Sequence, residues 1–304
     1  MERNPPSEDR GPLVRTQSSS LRILSVPRPA PGTPDRVARM RELYWRLGRN
    51  KWKEVIEEHG FGPRVFDDGL HGRSKEEKYL EGVERGFTFI SDHLGVPTDE
   101  AMVLRLHAVV CAHFVEDPPD DTAFRSAERK EYIGVFRDER VVICWIPSKK
   151  KYPLDERARI EYEARGFGSF GTTDEGAPVM LYASASQERT ATIFRRFLGE
   201  YHEQIRNAET QDDRLRAITN FYRDCEWLHP FMDGTGRVDL LLLGKHLVEN
   251  GFSPCLTTRP FLSSVAAADV WLTEVRMGMK AWSDAVMRGT IEELRREAAT
   301  GGRE

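Results

Sequence analysis

Apolar residues recur at helical spacing through most of the chain from residue 34 onward, and this periodicity limits the fold more than any other feature. Ser74 and Glu77 have the spacing of a capping box, and apolar positions continue behind them as far as Leu94. A further helix is predicted after the candidate cap Thr98, running through Val110. Other helices are predicted near 187–206, 211–228 and 237–250, with a last pair near 265–298. We therefore expect a mainly α fold.

One small β-hairpin is predicted within this helical chain. Residues 141–146 form an apolar run rich in β-branched side chains, which is typical of a strand. Residues 134–137 precede that run across a short acidic turn, so the two segments are expected to pair as a hairpin at about 132–147. A Gly-x-Gly-x-x-Gly pattern at 166–171 lies in a loop-rich insert at 164–183. We interpret this pattern as a flexible loop, because a helical, charged segment precedes it instead of a buried strand.

Composition excludes several classes of protein. The net charge of −4 gives no general attraction to nucleic acid, so no nucleic-acid partner is expected. No stretch approaches the roughly 20 apolar residues that a membrane-spanning helix requires, and the N-terminus lacks the apolar core of a secretory signal. The four cysteines are widely spaced in apolar settings, which favours free thiols in a reducing compartment.

The sequence divides into four predicted regions. Residues 1–35 are rich in proline, serine and arginine and are expected to form a disordered leader. A helical region at 36–97, a core at 98–260 and C-terminal helices at 261–304 follow. The leader is open to three interpretations: a plain terminus, a non-cleaved secretion signal or a partner-binding tail. We expect a cytoplasmic protein, with secretion by a non-Sec route into a host cell, as an effector or toxin, as the alternative.

A run of nine residues at 229–237 concentrates the chemistry of this sequence. His229 can accept a proton near neutral pH, and Asp233 offers hard oxygen ligands to a magnesium ion. Gly234 and Gly236 allow backbone N–H groups to approach phosphate oxygens, and Arg237 adds a permanent positive charge. The following segment reads as a helix, and the N-terminus of a helix attracts anions. Such a combination suits chemistry on a phosphate ester.

This run resembles the signature of the Fic family, His-Pro-Phe-x-[Asp/Glu]-Gly-Asn-Gly-Arg-x-x-Arg. The sequence departs from it at Thr235, where the family has asparagine, and at Leu240, where the family has its second arginine. The Leu-His pair at 106–107 and the Gly-Val-Phe-Arg segment at 134–137 resemble further family motifs, the second of which opens a hairpin called the flap. The resemblance covers roughly 98–260 and implies a helical bundle with a β-hairpin flap.

The resemblance implies a transferase that moves a nucleotide-derived phosphoryl group, most often AMP from ATP, onto a Ser, Thr or Tyr hydroxyl of a target protein. It implies that His229 deprotonates this hydroxyl and that Asp233 holds Mg²⁺ between two phosphates of the nucleotide donor. The residues implied to bind the donor phosphates are Gly234, Thr235, Gly236 and Arg237. The target protein is expected to dock on the flap hairpin by adding a strand to it.

The departure at Leu240 bears on the identity of the donor. The family's second arginine contacts the distal phosphates of ATP, and losing one such contact typically costs about 1.5–3 kcal/mol. A CDP- or UDP-linked donor is therefore an alternative to ATP, and Asp239 would disfavour a triphosphate further if it faced the site. The inhibitory motif of many Fic proteins, [Ser/Thr]-x-x-x-Glu-[Gly/Asn], does not occur in the sequence. A catalytically degenerate protein-binding module is the alternative function.

Two further residues have predicted structural roles. Phe231 is expected to hold the loop to the core as an apolar anchor. For His107 two interpretations stay open: a core histidine that hydrogen-bonds a backbone carbonyl, or a residue that supports the site.

Overall fold

The structure is a computed structural model, and it describes residues 74–112, 133–137, 143–145, 154–172, 178–182, 186–232, 234–255, 257, 259 and 262–300. The predicted leader at 1–35 lies outside the described residues, as does the predicted helical region up to residue 73.

Helices dominate the described chain. In chain order they are α1 Ser74–Asp92, α2 Glu100–Val110, α3 Glu156–Ala164, α4 Gln187–Asn207, α5 Gln211–Leu228, α6 Thr235–Glu249, α7 Leu262–Val265 and α8 Ala268–Thr300. The predicted mainly α fold with a small β-hairpin is confirmed. None of the described helices is both long and apolar enough to cross a bilayer.

Local capping explains where the helices begin. Thr210 and Asp213 form a capping box at the start of α5, in which each side chain accepts a hydrogen bond from the backbone N–H of the other residue. The cap of α2 is Asp99, whose carboxylate accepts from the Met102 N–H at 2.7 Å, so the prediction of Thr98 as the cap is wrong by one residue. The Thr98 hydroxyl is instead buried and hydrogen-bonds His246 Nε2 at 2.9 Å.

The core is built around α5 and α6. The α5 helix packs against α4, α6 and α8, while α1 packs against α2 and α6. Gly86 permits close packing of α1 against α2 and α6, because a Cβ there would overlap the side chains of Leu241 on α6 and Val110 on α2. These contacts fix the two ends of the loop 229–234, which joins α5 to α6.

A three-stranded antiparallel sheet lies between α2 and α4 in the chain. Its strands are β1 Ile143–Trp145, β2 Gly168–Thr172 and β3 Pro178–Tyr182, in the order β1-β3-β2. Tyr162 on α3 ties the helix to the sheet, since its hydroxyl lies 3.2 Å from Leu181 O and 3.3 Å from Phe167 O.

The position of the hairpin differs from the prediction. Residues 133–137 form a turn and irregular backbone, and residues 143–145 pair with β3 instead of with that segment. The hairpin of the described chain is β2–β3, so the interpretation of 166–171 as a flexible loop is also wrong. Strand β2 escaped the prediction because its Gly-Ser-Phe-Gly-Thr sequence has little β propensity, and its pairing with β3 overrides that preference.

Arg223 on α5 also links helices of the bundle, and its hydrogen-bond partners lie outside the loop 229–234. Its buried guanidinium donates to Ala266 O at 2.9 Å, to Ser263 O at 3.3 Å and to the Glu161 carboxylate at 2.7 Å. The guanidinium carbon lies 3.8 Å from the centroid of the Trp227 ring. These bonds join α5 to α3 and to the α7–α8 segment.

Candidate active site

His229 stands directly after α5 in a backbone conformation that residues other than glycine rarely adopt. Its φ of 47° and ψ of 66° are left-handed, and it is the only non-glycine residue with a positive φ among those the structure describes. This conformation costs a residue with a Cβ roughly 1–2 kcal/mol, and the following Pro230 also disfavours it. The side chain is half-buried. A strained backbone at a candidate base indicates that the surrounding contacts hold it in place.

Arg137 supplies three of these contacts. Its Nε donates to His229 O at 2.7 Å and its Nη2 donates to Leu228 O at 3.1 Å. Its backbone N–H donates to Pro230 O at 2.8 Å. The last carbonyls of a helix lack intrahelical partners and carry partial negative charge, so a buried guanidinium is well placed there. Arg137 therefore binds the carbonyls of three consecutive residues around the end of α5.

Tyr182 at the end of β3 contacts the imidazole itself. The rings of Tyr182 and His229 are stacked, with centroids 4.7 Å apart and an interplanar angle of 15°. The Arg137 guanidinium lies 5.7 Å from the centroid of the same Tyr182 ring, so both neighbours of His229 also contact each other. The sequence gives no sign of this role for Tyr182, because its strand was not predicted.

Phe231 anchors the loop, as predicted. Its side chain is fully buried and stacks on the His107 ring, with centroids 4.0 Å apart. Phe136 stacks on it at 5.8 Å. His107 Nδ1 accepts a hydrogen bond from the Gly134 N–H at 2.9 Å. This partner is a backbone N–H and not the backbone carbonyl of the first interpretation. The described contacts favour the supporting interpretation, because His107 touches the motif directly.

Gly234 begins α6 and is enclosed on the side where a Cβ would lie. Its φ is +79°, and an added Cβ would lie 2.6 Å from Cys111 Sγ and 3.5 Å from Arg237 Nη2. A side chain would therefore be strained and would overlap a buried thiol. Four described helices have a capping side chain at the N-terminus, whereas α6 has none. Backbone N–H groups at such an N-terminus suit the binding of an anion.

The remaining motif residues are placed as follows. Thr235 is buried, and its hydroxyl lies 3.5 Å from Phe231 O, so the side chain points into the loop and only its N–H suits a phosphate. Gly236 is half-buried, and Arg237 is buried with its guanidinium beside Gly234. Asp233, the predicted magnesium ligand, lies outside the described residues. Mg²⁺ is commonly held by one or two carboxylates together with substrate phosphates, so a single aspartate in this loop fits its chemistry.

The residues after Arg237 decide how much charge the site carries. Leu240 is half-buried and packs against the core, and it supplies no cation. Asp239 is buried between α5 and α6 beside Tyr222 and Cys225, in a space too small for a water molecule. Burial, followed by the negative charge of Glu226, raises the pKa of the Asp239 carboxyl well above its usual value. Asp239 would disfavour a triphosphate only if it faced the site. Because its carboxyl is buried between α5 and α6, this condition is not met.

Comparisons with known proteins give a likeness to solved structures alone. No family model matches the chain, and no curated protein matches it. A Fic domain containing signaling protein from Bacteroides thetaiotaomicron VPI-5482 aligns at 13% identity with a TM-score of 0.44, covering 84% of this chain and 92% of that one. A Fic family protein from Desulfovibrio desulfuricans G20 aligns at 16% identity with a TM-score of 0.39, covering 86% and 67%.

Proposed function

We propose that this protein is a Fic-like transferase that moves a nucleotide-derived phosphoryl group onto a Ser, Thr or Tyr hydroxyl of a target protein. One observation carries the proposal: His229 is held at the end of α5, and the same short loop leads into the glycine-framed N-terminus of α6. A candidate base and a candidate anion site thus share one loop, and packed helices fix both ends of this loop. The resemblance of the motif to the Fic signature supports the same function.

His229 acts as the general base in the proposed reaction. It takes the proton from the target hydroxyl, whose own pKa is too high for ionisation at neutral pH. The hydroxyl oxygen then bonds to the donor phosphorus, and the bond from this phosphorus to the leaving group breaks. For AMP transfer from ATP the leaving group is pyrophosphate.

The beginning of α6 binds the donor phosphates in this proposal. The N–H groups of Gly234, Thr235 and Gly236, together with the helix dipole, stabilise phosphate oxygens, and Arg237 neutralises charge as the leaving group forms. Asp233 would hold Mg²⁺, which when bound neutralises part of the charge on the donor phosphates.

The residue at position 240 bears on the identity of the donor. Leu240 supplies no cation for a distal phosphate, so the proposed donors are ATP bound with moderate affinity or a CDP- or UDP-linked molecule. The target protein would dock by adding an extended segment to an outer strand of the sheet, β1 or β2.

Replacing His229 by alanine tests the mechanism. We expect His229→Ala to lower transfer by about 10²–10⁴-fold, measured as mass added to a target or to the protein itself after incubation with mixed donors, Mg²⁺ and cell lysate. His202→Ala is the matched control: His202 is also half-buried, and its Nε2 lies 3.0 Å from Thr98 O, away from the loop 229–234. Transfer retained in His229→Ala would contradict the mechanism.

The second candidate function is a degenerate binding module, which the lost cation at Leu240 favours. Such a protein would recognise its partner through the sheet and would bind nucleotide weakly or not at all. Calorimetry with ATP, CDP-linked and UDP-linked ligands plus Mg²⁺ separates the two functions. Heat with one of these ligands supports the transferase, and no heat with any of them supports the binding module.

A further inference from the structure

Neither the conformation of the His229 backbone nor the orientation of its ring follows from the motif itself. The left-handed backbone is strained for a residue with a Cβ, and the following proline disfavours it too. A base must meet its proton with defined geometry, because an error of about 1 Å can cost on the order of a hundredfold in rate. Residues outside the motif must therefore hold both parts of His229.

The backbone is held by a fork that only arginine can form. Arg137 reaches Leu228 O and His229 O with two different nitrogens of one guanidinium, and its own N–H reaches Pro230 O. A lysine ammonium is a single point and cannot make the two side-chain bonds with the same planar geometry. Arg137 is only 2% exposed, so water does not readily replace the hydrogen bonds that a substitution of this arginine would remove.

The imidazole ring is held by a flat aromatic surface. Tyr182 is buried and stacks on His229 with the rings nearly parallel, which restricts the rotation of the imidazole about its side-chain bonds. Phenylalanine would preserve this surface, and leucine would not.

We infer that Arg137 and Tyr182 are positioning residues for His229: Arg137 holds its main chain in the left-handed conformation, and Tyr182 fixes the plane of its imidazole. The inference deepens the proposed function and rests on it for its effect on catalysis. The positions of the groups can also be tested without any activity.

The first measurement is nuclear magnetic resonance of the imidazole protons. The chain has eight histidines, and the signal lost in His229→Ala assigns the one of interest. A ring stacked at this distance shifts that signal by its ring current, so Tyr182→Leu should remove the shift and Tyr182→Phe should retain it. An unchanged His229 signal in Tyr182→Leu would overturn the inference, whether or not the protein shows transfer.

The second measurement is the steady-state kinetics of transfer. We expect Tyr182→Leu and Arg137→Lys to lower kcat by about ten- to hundredfold while KM for the donor changes less than about threefold, because a misplaced base impairs the chemical step and leaves donor binding unaffected. Tyr182→Phe should restore kcat to within about threefold of the original protein.

Two matched controls separate positioning from general damage to the fold. Tyr201 stacks on His246 with centroids 4.5 Å apart in another part of the bundle, so Tyr201→Leu removes an equivalent buried stack. Arg223→Lys removes an equivalent buried fork, since Arg223 also donates to two backbone carbonyls. Both controls should leave kcat and the His229 signal near their original values. A fall in kcat as large as in Tyr182→Leu and Arg137→Lys would overturn the inference.

Discussion

Gly234→Ala tests the most confined point of the candidate site. The substitution places a Cβ in a left-handed conformation, which costs about 1–2 kcal/mol. It also places that Cβ 2.6 Å from Cys111 Sγ, and overpacking of this kind typically costs about 1–3 kcal/mol. The two contributions add to a loss of about 2–5 kcal/mol in the free energy of unfolding. Urea unfolding followed by the fluorescence of the buried Trp227 and Trp271 measures this loss.

The other end of the same helix offers a matched control. Gly251 has a φ of +84°, nearly that of Gly234, but an added Cβ there meets no atom within 4 Å. Gly251→Ala should therefore lose only the conformational part, about 1–2 kcal/mol. Combining Gly234→Ala with Cys111→Ala should recover about 1–3 kcal/mol relative to the sum of the single changes. Equal losses at the two glycines, or no recovery in the double variant, would refute the placement of the loop against α2.

Two further predictions concern the residues after Arg237. Because burial raises the pKa of Asp239 in the folded state, the folded protein retains this proton to higher pH than the unfolded chain. The contribution of this carboxyl to stability is therefore fully present below about pH 4 and is lost as pH rises towards the raised pKa. The side chain of Asp239→Asn cannot titrate, so the stability of this variant relative to the original protein should increase over this pH range by up to about 1.4 kcal/mol per pH unit. Denaturant unfolding at several pH values measures this difference. If the free energies of unfolding of the two proteins change with pH in parallel, the pKa of Asp239 is not raised. Leu240→Arg should raise ATP affinity by about ten- to hundredfold in calorimetry, the effect of one charge-assisted contact. Efficient AMP transfer by the original protein, unchanged by Leu240→Arg, would contradict the inference that Leu240 deprives ATP of a contact with its distal phosphates.

The helical part of the fold was predictable because its signals are local. Helix α5 spans Gln211–Leu228, which agrees with the helix predicted near 211–228. Gly251 follows α6 in a left-handed conformation, as expected of a glycine after a helix. Thr98 shows the limit of such reasoning, since two adjacent residues can both cap a helix and only tertiary contacts assign the Thr98 hydroxyl to His246.

The sheet and the neighbours of His229 were not predictable, because they depend on pairing between distant segments. The glycine-rich β2 becomes a strand only through its register with β3, in which Phe170 lies opposite Met180. Tyr182 acquires its contact with the imidazole from the end of that strand. The motif identified the candidate base, but the contacts that orient this base lie in segments whose structure the sequence pattern did not reveal.

The hydrogen bond from Arg137 Nε to His229 O spans 92 positions of the chain. Bringing such distant segments together requires closing a long loop, and contacts of this kind form later in folding than those within helices. The sequence motif is complete as soon as it is synthesised, whereas its left-handed geometry requires the completed tertiary structure. A nascent or partly unfolded chain would therefore carry the motif without an oriented base, which ties the onset of any activity at His229 to the end of folding.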